Sequence, residues 1–198
     1  MNKSSLLISV KNIDEIKKIY KFANIVDLKN PSDGALGAWK IGQVSQALNI
    51  YKNKICFSAT LGNIFNNEII LKELLKFDDL GLEYIKIGIF HDCIGELEEF
   101  INSLKYINLK TKLVAVFFAE NKKLINHVKK NIRLFLNSKF SILLIDTFNK
   151  RSKGLLEIYK LDFLNSLILL AKKNNLKIGL SGKILSLIHI SEPTRRTP

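Results

Sequence analysis

Short apolar runs alternate with longer amphipathic ones from one end of the chain to the other. Leu6-Leu7-Ile8-Ser9-Val10 reads as a strand, and Ile13 to Phe22, with apolar residues recurring at helical spacing, reads as the helix after it. Further strands are predicted over 24–28, 55–60, 84–89, 113–118, 142–146 and 177–180, each except the last followed by a helix. Seven strands are therefore expected. Their interiors are apolar at consecutive positions, as in Leu113-Val114-Ala115-Val116-Phe117-Phe118, which implies burial on both faces. A parallel sheet covered by helices meets that requirement.

Two α/β architectures fit. A doubly wound sheet usually carries a glycine-rich phosphate turn after its first strand, and Ser9-Val10-Lys11-Asn12 contains no glycine. A TIM-type (β/α)8 barrel instead distributes polar residues over the C-terminal ends of many strands, where Lys29, Thr60, Lys86 and Asp146 fall. The expected fold is that barrel, incomplete, with about seven strands present. After Ile184, the stretch from Leu185 to Pro198 continues neither a helical nor a strand period. It resembles the translated read-through of a sequencing adapter; the alternative is an ordinary frayed C-terminus. On the first reading residues 1–184 are one catalytic domain, residues 185–198 are a non-native tail, and a closing βα unit of about 40 to 50 residues is absent.

Composition narrows the partners. With 198 residues and 47% hydrophobic content the chain can bury a core. The formal charge of +13, from 31 Lys and Arg against 18 Asp and Glu, invites a nucleic-acid reading. The placement of the lysines argues against it, because Lys17, Lys18, Lys72, Lys122, Lys123, Lys129 and Lys130 fall on helices as a solvated outer face. Cys56 and Cys93 have neither metal-ligand spacing nor the density of a disulfide scaffold, so a reduced, cytoplasmic setting is expected. No run approaches the roughly 18 apolar residues of a membrane span. Neither nucleic acid nor membrane is expected as a partner; a homo-oligomer is compatible with the sequence.

The chemistry lies in charges set among apolar residues. Asp27 and Lys29 are two apart on one strand and so share a face, which in a barrel is the interior. Lys86, Asp146 and Lys150 sit at or after two further strand ends. A charge in such a place must be paired or must shift its protonation, which makes these residues candidates for one pocket. His91 reads as an exposed loop histidine, and Phe117, Phe118 and Phe135 read as core.

The segments Ile25-Val26-Asp27-Leu28-Lys29-Asn30-Pro31, Gly34-Ala35-Leu36-Gly37-Ala38, Ser58-Ala59-Thr60-Leu61-Gly62, Tyr84-Ile85-Lys86-Ile87-Gly88, Ile145-Asp146-Thr147 and Leu180-Ser181-Gly182 occur in that order with plausible spacing. Together they resemble (5-formylfuran-3-yl)methyl phosphate synthase, also called 4-(hydroxymethyl)-2-furancarboxaldehyde-phosphate synthase. The resemblance implies a TIM-barrel lyase of methanofuran biosynthesis. Such an enzyme condenses two molecules of glyceraldehyde 3-phosphate, with loss of phosphate and water, and uses no metal or organic cofactor. It assigns catalysis to Lys29, Lys86, Asp146 and Lys150. Asp27 is expected to orient Lys29 or shuttle its proton, and Gly34, Gly37, Thr60, Ser181 and Gly182 are candidate substrate contacts. Clustered lysines favour an uncharged amine on one of them, and Lys29 is the expected Schiff-base residue. A class I aldolase on another sugar phosphate, or a basic nucleic-acid-binding protein, are the competing readings. The segments Ile89-Phe90-His91-Asp92 and Val116-Phe117-Phe118-Ala119-Glu120 are bulkier or more polar than the resemblance leads one to expect.

Overall fold

A computed structural model describes residues 4–51, 53–91, 93–149, 151 and 153–184. Strands β1 (Leu7–Val10), β2 (Ile25–Leu28), β3 (Cys56–Thr60), β4 (Tyr84–Gly88), β5 (Lys112–Phe118), β6 (Phe140–Asp146) and β7 (Lys177–Leu180) form one sheet in sequential order. Every adjacent pair is parallel. Between them run α1 (Ile13–Ile19), α2 (Ile41–Tyr51), α3 (Asn67–Asp78), α4 (Ile94–Leu104), α5 (Lys122–Lys130), α6 (Leu155–Ile158) and α7 (Leu161–Lys173). This is the expected α/β barrel of TIM type, a curled sheet of seven strands that is open between β1 and β7 among the described residues. Lys150 and residues 185–198, to which the sequence assigned a catalytic role and a non-native tail, lie outside the described residues.

Local signals explain where the helices begin. Asn12, Asn66 and Asn121 each accept a hydrogen bond from a backbone N–H three residues on, satisfying donors that the first helical turn cannot. The helix predicted over 13–22 stops at Ile19, because Tyr20 to Ala23 form the tight return into β2. No helix among the described residues is long and apolar enough to cross a membrane.

The side-chain parity of the strands divides the apolar residues into two cores. The larger lies between sheet and helices and includes Val26, Leu28, Phe57, Ile85, Ile87, Leu113, Ala115, Phe117 and Phe135. The smaller lies inside the curl and contains Leu36, Val114, Val116, Phe118 and Leu144. Thus Phe117 and Phe118, both read as core, face opposite ways: one packs under the helices and its neighbour fills the barrel. Apart from Asp146 at the end of β6, the interior is apolar on the β5 and β6 side. On the β1 to β4 side it carries Ser9, Asp27, Ser58, Thr60 and Lys86 instead, and this asymmetry positions the candidate site.

Candidate active site

Asp27 is the most enclosed charge described, with no exposed surface. The strand register sets Ser9, Asp27 and Ser58 side by side, so both hydroxyls reach the carboxylate: Ser9 Oγ donates to Oδ2 at 2.8 Å and Ser58 Oγ to Oδ1 at 2.6 Å. Lys86, 3% exposed, crosses diagonally from β4 and places Nζ 2.6 Å from Asp27 Oδ2. Burial alone would raise the Asp27 pKa, but the Lys86 charge and the hydrogen bonds from Lys86, Ser58 and Ser9 outweigh it and hold the group below the usual carboxylate range. Asp27 is therefore an ionised anchor that fixes the Lys86 ammonium deep in the barrel. Sequence parity alone suggests that Asp27 orients Lys29 or shuttles its proton; the cation it holds by a hydrogen bond is Lys86.

Lys29 follows the last residue of β2, and its backbone N–H donates to Val10 O at 3.1 Å. Its Nζ lies 3.6 Å from Asp146 Oδ2, with the two side chains 10% and 2% exposed. In a flat sheet the ends of β2 and β6 would lie about 19 Å apart, four strand spacings of roughly 4.8 Å. Only the curl of the barrel brings Lys29 and Asp146 together across its mouth. The other Asp146 oxygen, Oδ1, accepts the Thr147 N–H at 2.8 Å, which orients the carboxylate. Two lysine–aspartate pairs result, one deep and tightly hydrogen-bonded, the other higher in the barrel and slightly open.

The glycines named from the sequence shape the rim. Gly37 O accepts both the Asn30 N–H at 2.8 Å and the Thr60 hydroxyl at 2.9 Å, tying the loop after Lys29 to the end of β3. A Cβ on Gly37 would lie 2.0 Å from Asn30 O, so only glycine lets the loop fold back this closely. Gly34 is at the exposed turn, packed against Asn63. Ser181 N–H donates to Ile145 O at 2.8 Å, which carries the chain past the end of β7 toward Asp146. Gly182 adopts φ +104°, and a Cβ there would sit 2.7 Å from Thr147 Cγ2 and 3.0 Å from Thr147 N. Gly182→Ala is expected to cost about 1–2 kcal/mol, read as a lowered thermal midpoint, because the left-handed backbone and the clash act together.

Three contributors were not identified from sequence. Ser9 shares Asp27, and only the strand pairing reveals it. Leu36 reaches from the Lys29 loop into the interior core, where Gly88 leaves room for it. Glu120 accepts the N–H groups of Phe148 and Asn149 at 3.0–3.1 Å, clamping the loop that follows Asp146. His91 is half-buried where an exposed residue was expected; it stacks on Phe100 at 5.3 Å and lies 3.1 Å from Asn67 Oδ1. A hollow of about 330 Å³ lies at the opposite end of the sheet, lined by Asn49, Asn53, Cys56, Leu80 and Glu83, and gathers no comparable set of charges among the described residues.

Solved structures share the architecture. The aldolase QR15 superposes with a TM-score of 0.63 at 14% identity, over 91% of this chain and 80% of that one. A muconate lactonizing enzyme from Pseudomonas fluorescens gives 0.58 at 10% identity, over 89% and 44%. At such identities the likeness establishes the fold alone. The sequence decides the family: a 4-HFC-P synthase family model matches residues 6–192. The chain belongs to the 4-HFC-P synthase family. Its relatives include the (5-formylfuran-3-yl)methyl phosphate synthase of Methanococcus aeolicus, 28% identical over 191 residues, which are 90% of this chain and 80% of that protein. The protein of the same name from Archaeoglobus fulgidus is 25% identical over 190 residues, with the same coverage. Family membership and the names of these relatives support a lyase of methanofuran biosynthesis.

Proposed function

We propose that the chain condenses two molecules of glyceraldehyde 3-phosphate into (5-formylfuran-3-yl)methyl phosphate, releasing one phosphate and two waters, by way of an imine on Lys29. The observation that carries this reading is the meeting of Lys29 with Asp146, 3.6 Å apart at the barrel mouth, above a second lysine paired with Asp27. An amine attacks an aldehyde only when unprotonated, and its expelled water leaves an iminium that acidifies the neighbouring carbon. Asp146 is close enough to exchange protons with Lys29 and with a carbon held on it. The dehydrations and the phosphate elimination need the same service, a proton taken from carbon and one returned to a leaving oxygen. Lys86 contributes a fixed positive charge beneath the reacting atoms, since its ammonium is held by Asp27.

Incubation with glyceraldehyde 3-phosphate alone tests the reading. A furan aldehyde absorption together with one phosphate released per furan supports it. Reversible cleavage of a longer sugar phosphate, with the triose left without a furan product, would instead identify a class I aldolase. Within this reading, Glu120 is a positioning residue for Asp146. Glu120→Ala is expected to lower kcat by up to about 10²-fold through misplacement of that loop. The triose phosphate KM should move much less, as steady-state kinetics would show.

A further inference from the structure

Four phenylalanines from four different strand ends meet at the barrel mouth. Phe90, after β4, stacks with Phe118 at 5.0 Å between ring centres, lies 4.3 Å from Phe65, after β3, and meets Phe148, after β6, edge-on at 6.1 Å. Phe118 and Phe148 are also edge-to-face at 5.0 Å. The cluster adjoins the charged residues directly: Phe118 is the register partner of Asp146, and Phe148 follows Asp146 by two residues. Leu36, from the loop after Lys29, packs in the same interior core. Phe118 is 6% exposed, yet Phe65 and Phe148 are 69% and 44% exposed. Two large rings thus remain uncovered beside the charged pocket, an arrangement that favours a ligand able to cover them.

We infer that Phe65, Phe90, Phe118 and Phe148 form an aromatic subsite that takes the flat, conjugated ring of the late intermediates and product. The inference rests on the furan-forming reading above. A triose phosphate is an open-chain, hydroxylated aldehyde and offers no conjugated ring to these phenyl groups. A furan aldehyde offers one, and offset or edge-to-face contact with phenyl rings suits it. The cluster therefore distinguishes the end of the reaction from its beginning. It holds the ring as aromaticity develops, while the lysines hold what is charged.

The test uses Phe65→Ala, Phe148→Ala and the double variant, whose exposed rings can be removed without opening the core; circular dichroism verifies folding. Calorimetric titration compares (5-formylfuran-3-yl)methyl phosphate with glycerol 3-phosphate, a saturated analogue that does not react. The double variant should lose about tenfold in affinity for the furan phosphate, the scale of two modest ring contacts together, and less than about twofold for glycerol 3-phosphate. Equal losses for both ligands, no loss for either, or a wild-type chain that fails to bind the furan phosphate would overturn the inference. Furan production by the wild type is read separately, so failure of the proposed reaction is not confused with failure of the subsite.

Discussion

Asp27→Asn is expected to remove about 3–5 kcal/mol of folding stability at neutral pH, the usual cost of leaving one member of a buried ion pair without its partner. The substitution preserves shape but leaves the Lys86 ammonium, 3% exposed, without a counter-charge. Against a typical total of about 5–15 kcal/mol this is a large fraction, and urea denaturation should show a clear drop in midpoint. Asp27→Asn combined with Lys86→Met should recover much of the loss, because the charge that needed a partner is gone. The pH dependence follows from the depressed Asp27 pKa. Burial raises that pKa, but Lys86, Ser58 and Ser9 bring it below the ordinary value. A carboxylate whose folded pKa is lowered contributes fully above its unfolded pKa of about 4, and the contribution is lost as pH falls through the folded value. The gap between wild type and Asp27→Asn should therefore be constant near neutrality and shrink in acid.

Lys29→Arg is expected to reduce furan formation by at least about 10³-fold, the scale seen when a covalent nucleophile is removed. Arginine keeps a positive charge near Asp146, and the position is slightly open to solvent, so the fold should tolerate it. The guanidinium stays protonated at working pH and cannot form an imine. Loss of turnover with an unchanged denaturation midpoint would separate this residue from Lys86, whose removal affects stability and catalysis together.

The strands were legible because a sheet buried on both faces needs apolar residues at consecutive positions, and such runs stand out between amphipathic helices. Their ends agreed with the structure to within a residue or two. Parity along β2 also placed Asp27 and Lys29 on the interior face. Parity could not show which interior group each would meet. Asp27 and Lys86 are 59 positions apart, and Lys29 meets Asp146 across the open mouth because of sheet curvature, a property of the whole barrel. The aromatic subsite escaped sequence reading for the same reason, since Phe65, Phe90, Phe118 and Phe148 share no motif and are joined only by the convergence of four strand ends.

The most direct test of the central claim is borohydride reduction of the chain during turnover of glyceraldehyde 3-phosphate, followed by peptide mass mapping. The account predicts a reduced triose phosphate adduct on Lys29, absent in Lys29→Arg and retained at lower yield in Glu120→Ala. An adduct on Lys86, or furan formation that continues with no trapped lysine, would contradict it.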